Sequence, residues 1–223
     1  PNPPAPVPNR PDVFMAGRQF PVAAVDFTGI TTDLSEMKAD AQANGRYFAS
    51  SGAQGYRILL KTNNTFDLYR VNSLRSAPAN CSNSQSQNGW GVWSIGTSGN
   101  SQTFLQNYAM PANGIIFVED HVWVEGQINN GRVTIAAGRF PDNISTRRDI
   151  IVNNDLLYTN YNGSDVISLI AQGNITAGLF SKDSLRIDAA LIAQNGRIGR
   201  YYYSSDCKAN GVNWYVRSDI TLY

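Results

Sequence analysis

Charge is scarce in this chain. Asp, Glu, Lys and Arg make up 16% of its 223 residues and nearly cancel, leaving a net charge of +1. The Lys and Arg residues are scattered, without the basic stripe that a nucleic-acid partner requires, so nucleic acid is excluded. A single His leaves little scope for acid–base chemistry. Only two cysteines are present, Cys81 and Cys207, and neither sits in a CxxC pair, which removes support for zinc or thioredoxin-like redox roles. No apolar run is long enough to span a bilayer, and no signal peptide stands at the start. The segment opens at Pro1 without Met, so any export signal or membrane anchor is expected outside it.

What fills the surface instead is Asn, Ser, Thr, Gln and Gly, the composition of secreted β-proteins with many tight turns. An extracellular location follows as an expectation. In that setting Cys81 and Cys207 form a candidate disulfide, worth about 4–5 kcal/mol through the entropy it removes from the unfolded chain. Two buried free thiols are the alternative.

Residues 1–11 hold six prolines and read as an extended linker. Residues 12–110 form an α+β region expected to pack on the rest. Within it, residues 20–27 read as a strand. Asp33 is placed to cap a short helix through Leu34, Met37 and Ala41, with Glu36 completing a capping box and Asn44-Gly45 ending it. Residues 56–61 and 65–71 alternate apolar and polar around Asn63-Asn64 and predict an inserted β-hairpin. A long polar loop, 76–101, carries Cys81, Trp90 and Trp93; loops of that length in compact domains are functional or mobile.

Residues 111–223 are repetitive. Segments 114–126, 148–160, 168–178 and 190–199 each hold a short apolar strand, polar corner residues, and a second short strand. Aligned on Val118, Val152, Ala171 and Ala193 they are spaced by 34, 19 and 22 residues, with an inserted loop at 140–147 lengthening the first interval. No unit has enough apolar surface to fold alone, but stacked units bury a continuous column. The predicted fold is therefore mainly β: a right-handed parallel β-helix with a short capping helix, which the segment 33–44 is placed to supply at an open end. An antiparallel sandwich is the rival.

Residues 114–126, 131–137, 169–175 and 187–196, with 25–34 and 55–61, resemble bacterial minor-pilin-like surface proteins of type IV pilus assembly. The resemblance spans most of residues 20–200. It implies a soluble head displayed on a cell surface, partnered by other surface or pilus proteins and held to the membrane only through an anchor absent from this segment. It carries over no functional residues.

Catalytic signatures are wanting. Glu119-Asp120-His121 offers a base and carboxylates, yet it falls on a corner where other units place Asn153-Asn154-Asp155, Gln172-Gly173-Asn174 and Gln194-Asn195-Gly196; solvated turn residues are the expected role. Residues 122–125 echo a pectate-lyase segment without its final His. Asn153, Asn154 and Asp155, or Asp26 with Asp33, could donate oxygens to calcium, but no calcium-binding loop surrounds them. The expectation is a non-enzymatic structural or adhesive domain without metal or cofactor. Trp90, Trp93, Tyr201, Tyr202, Tyr203 and Trp214 are the candidate contacts to a partner or glycan. A carbohydrate-binding or carbohydrate-active β-helix is the alternative. Five Asn-x-Ser/Thr sequons begin at Asn63, Asn80, Asn143, Asn162 and Asn174.

Overall fold

The computed structural model describes residues 28–78, 93–203, 205, 207–209, 211–213, 216 and 219–223. The linker 1–11 and the strand expected at 20–27 lie outside the described residues, as do Asp26, Cys81, Trp90 and Trp214. Among the described residues the chain is mainly β with one helix. Helix α1 (Thr28–Asn44) leads to β1 (Arg46–Phe48), then to β2 (Gly55–Lys61), β3 (Thr65–Val71) and β4 (Gln102–Ala109). Short strands follow: β5 (Ile115–Val118), β6 (Val122–Ile128), β7 (Arg132–Ala137), β8 (Ile150–Ile151) and β9 (Leu156–Tyr158). Next come β10 (Val166–Ala171), β11 (Ile175–Ala177), β12 (Ser184–Ile187), β13 (Ala190–Ala193) and β14 (Ile198–Arg200). The pair β15 (Lys208–Ala209) and β16 (Val212–Asn213) is antiparallel, and β17 (Asp219–Leu222) lies parallel to β12.

Strands β1, β5, β7, β10 and β13 form a wholly parallel five-stranded sheet in that order. The strands between them belong to a ten-stranded mixed sheet, so the chain alternates between the two. Val118, Ala137, Ala171 and Ala193 stack in the parallel sheet, 19, 34 and 22 residues apart. Val122, Ile150, Ile175 and Ile198 stack in the mixed sheet at intervals of 28, 25 and 23. The expected alignment of Val118 with Val152 is thus corrected: Val152 follows β8 on the mixed sheet, and Ala137 takes its place. Ile150-Ile151-Val152 and Ile115–Val118 are equally apolar, so the pattern alone could not say which sheet each joins. The loop at 140–147 does lengthen one interval, the one between Ala137 and Ala171.

Two-residue alternation divides each strand between an inner and an outer surface. Ile116, Ile135 and Leu169 are fully buried in the main core, alongside Ile58, Phe66, Val122, Ile150 and Ile167 from both sheets. Their neighbours Phe117, Ala136 and Ile170 face outward from the parallel sheet and are buried there under Leu34 and Ala41 of α1. The helix therefore covers the side of this sheet. The expectation that it closes an open end is overturned, because the outward apolar residues of three successive strands need cover. Its start is corrected too: Asp33 lies inside the helix, exposed, rather than capping it.

The hairpin forms as its sequence predicts, with Lys61 opposite Thr65 and Asn64 at φ 59° in the connecting turn. The other edge of β2 pairs in parallel with β6, so β2 belongs to the stack, while β3 and β4 extend the sheet in antiparallel sense. Gly126, at φ 112°, lies where the backbone of Leu60 leaves no room for a Cβ. Beside the first strands the core ends in packed rings. Tyr108 lies 5.4 Å from Phe48 and 5.5 Å from Phe66, and the Arg46 guanidinium sits 5.6 Å from the Tyr108 ring.

Replacing Ile135 by Ala should lower unfolding free energy by about 2–5 kcal/mol, since it leaves a cavity in the stacked column. The adjacent outward-facing Thr134→Ala should change it by no more than about 0.5 kcal/mol. Urea unfolding monitored by circular dichroism would check both, and equal losses would contradict the inward–outward assignment.

Candidate functional site

In the Glu119-Asp120-His121 corner Asp120 is buried, Glu119 and His121 are half-buried, and all three are bonded, not solvated as expected. Its three side chains serve three different contacts. Glu119 accepts hydrogen bonds from Lys38 of α1 and, at 2.7 Å, from the Tyr47 hydroxyl, tying the helix to the corner. Burial first, then the Glu119 carboxylate, pushes the Tyr47 phenol up to about 12. Asp120, 4% exposed, accepts the Ser51 N–H at 2.9 Å and the Ser51 hydroxyl at 2.7 Å, fixing the turn before β2. Nδ1 of His121 accepts the Asp149 N–H at 3.0 Å, and its ring packs 5.0 Å from that of Trp93. A base and an orienting carboxylate aimed at one reacting atom are not assembled here.

His121 is instead the first member of a ladder. Asp149 Oδ1 accepts the Asn174 N–H at 2.6 Å, and Asn174 Oδ1 accepts the Arg197 N–H at 2.9 Å. These residues immediately precede Val122, Ile150, Ile175 and Ile198, so each corner side chain satisfies the backbone of the next layer. Other corners repeat the device. Asn153 Oδ1 accepts the Gly178 N–H at 2.6 Å, and Asp155 Oδ1 accepts the Arg186 N–H at 3.1 Å. Asp165 accepts the N–H groups of Gly131, Thr159 and Asn160. Burial alone would raise the Asp165 carboxyl, but these three bonds outweigh it and hold the group below its usual range. The oxygens of Asn153 and Asp155 that a calcium ion would need are thus already used. Among the described residues, no three His, Cys, Asp or Glu side chains gather as metal ligands would.

The described part of the long loop lies on the outer face of the mixed sheet. Trp93 is half-buried with Leu74 and Ile95 against Val71, Trp123 and Ile151. Its backbone is left-handed, at φ 46°, and its carbonyl accepts Trp123 Nε1 at 3.0 Å and Asn153 Nδ2 at 2.6 Å. Tyr203 is buried with Leu179 and Cys207, and burial pushes its phenol up to about 12. Tyr201 is half-buried, whereas Tyr202 is 64% exposed. Cys207 is fully buried; its expected partner Cys81 lies outside the described residues. Three sequon asparagines, Asn63, Asn143 and Asn162, are exposed at turns, while the Asn174 amide is held by Asp149.

Beside the Trp93 segment is a cleft of about 310 Å³, floored by Trp123 and Val124. Arg57 crosses it, donating from Nε to Glu125 and from Nη1 to Gln102 Oε1 at 3.2 Å, with its guanidinium 4.8 Å from the Tyr69 ring. The second Glu125 oxygen accepts Asn154 Nδ2 at 2.6 Å. On the far wall the Arg75 guanidinium stacks 3.5 Å from the Phe180 ring. The sequence singles out Asn154, as a candidate calcium ligand, and Glu125 only within the 122–125 segment; Arg57, Tyr69, Arg75, Gln102 and Phe180 are not singled out. The available signal was faint: Arg57 and Glu125 are oppositely charged and sit at outward positions of neighbouring strands. No protein family, curated protein or solved structure matches the chain.

Asn174→Ala should cost about 0.5–1.5 kcal/mol, because the Arg197 N–H loses its acceptor and Asp149 loses a donor; chemical unfolding measures it, and a neutral result would remove the ladder as a stabilising device. His121 gives a pH prediction. Burial holds its imidazole below the ordinary value of about 6.5, aided by Arg148 and opposed by Asp149 and Asp120. The unfolded chain then binds the extra proton first, so stability is full above about pH 6.5 and falls as pH drops below it. His121→Asn, which copies Asn174 and keeps an acceptor, should flatten thermal midpoints between about pH 5 and 7. An unchanged slope would assign the pH dependence to other groups.

Proposed function

We infer that this chain winds as a right-handed parallel β-helix and acts as the non-catalytic structural or adhesive head of a pilus-associated surface protein. The stack Val118–Ala137–Ala171–Ala193, in register across one parallel sheet, carries the reading. It supports a rod built layer on layer, whose core continues from one layer into the next. Right-handedness is favoured because about 98% of crossovers between parallel strands of one sheet take that hand. Display outside the cell is supported by the Asn-, Ser- and Gly-rich surface and by the resemblance to minor pilins. A Cys81–Cys207 bridge belongs to the same proposal, with Cys207 buried where an added crosslink would hold Leu179 and Tyr203 in place. Tyr202 is the most accessible of the described contact candidates.

A second reading, glycan binding, is favoured by one observation: the polar cleft around Arg57 lies open on the outer face of the mixed sheet.

Mass spectrometry of filaments sheared from native cells separates the two. Enrichment of this chain's peptides over the cell-body fraction is expected. Recovery only as soluble protein, with none on filaments, would remove the pilus reading and leave glycan binding in front.

A further inference from the structure

We propose that the cleft beside Trp93 binds one neutral pyranose unit of a glycan. Its chemistry argues against the other ligand classes. Arg57 and Glu125 neutralise each other across the floor and the Arg75 guanidinium is stacked on the Phe180 ring, so a cation meets no carboxylate that is not already paired. Glu125 already accepts from both Arg57 and Asn154, leaving little to ligate a metal. An apolar ligand would bury polar groups without partners.

The internal bonds leave a set of hydrogen-bonding groups on residues that line the cleft. Arg57 uses Nε and Nη1, and Gln102 uses its carbonyl oxygen, so Arg57 Nη2 and the Gln102 amide N–H groups take no acceptor among the described residues. Asn154 uses its amide nitrogen, and its carbonyl oxygen takes no donor among the described residues. Donors and an acceptor, fixed on planar side chains, suit vicinal hydroxyls, each of which both gives and receives a hydrogen bond. Ile95 and Phe180, both half-buried in the lining, supply apolar surface for the C–H face of a sugar ring. The volume lies near the lower limit of small-molecule sites, about 300–1,000 Å³, which fits one ring rather than an extended chain.

The assignment rests on the extracellular location in the proposed function, where glycans are met, and not on filament membership. Its test is independent of filaments. The purified chain would be titrated with methyl glycosides of glucose, galactose, mannose and N-acetylglucosamine, observed by amide chemical shifts in NMR. At least one should give a saturable shift at Gln102 and Asn154, with a dissociation constant of about 1 mM, as a single ring would provide. Gln102→Ala and Asn154→Ala should each weaken it about fivefold while circular dichroism melts stay unchanged; Asn154 is exposed, so at least that variant is expected to fold. Absence of any saturable shift at about 30 mM sugar, some thirtyfold above that constant, would overturn the proposal. So would shifts that survive both variants, or selective binding of short uncharged peptides in place of sugars. Filament enrichment together with failure here would discard the cleft and leave the display reading standing.

Discussion

Where the described strands stack in register, the fold depends on polar side chains at the corners accepting an N–H from the next corner along the stack. Parallel strands bond well along their length, but where the chain turns between sheets its backbone groups lose their partners, and burying them unpaired would cost about 1–3 kcal/mol each. His121, Asp149 and Asn174 meet that need at one corner; Asn153 and Asp155 meet it at others. The apolar column supplies the drive to stack. The corners determine which residues stack on which.

This arrangement explains how a chain with few charges commits them to architecture. Asp188 is fully buried between layers, where burial would raise its carboxyl; Tyr161, Arg186 and the Tyr158 N–H together hold it low. Glu119 joins the helix to β1 and to the turn. Groups that look like acid–base machinery in the sequence are here the fasteners of a scaffold. The Arg57 cluster differs in lying on the outer face, along a cleft.

Much of the β-rich stacking was legible, because short apolar runs separated by Asn, Gly and Asp at near-regular intervals have few other uses. The hairpin at Asn63-Asn64 was legible for the same local reason. The pairing of Ala137 with Val118 was not, since Ile150-Ile151-Val152 offers an equally apolar run and only three-dimensional register separates them. Nor was the helix position, because Phe117 and Ile170 look like core residues whether they face the column or α1. The cleft escaped notice for a different reason. Arg57, Gln102, Glu125 and Asn154 are scattered over nearly a hundred residues, and only the pairing of β2 with β6 brings Arg57 beside Glu125.

Arg46 and Ile116 are register partners although 70 residues separate them. Loop-closure entropy rises by only about 0.6 kcal/mol for each doubling of length, so this excursion costs roughly 1 kcal/mol more than the shorter intervals further along. The hairpin, β4 and one wall of the cleft all lie within it. The scaffold therefore accommodates a long excursion at small entropic cost, and a new recognition surface could be added beyond β3 while Phe66 and Leu68 go on filling the core.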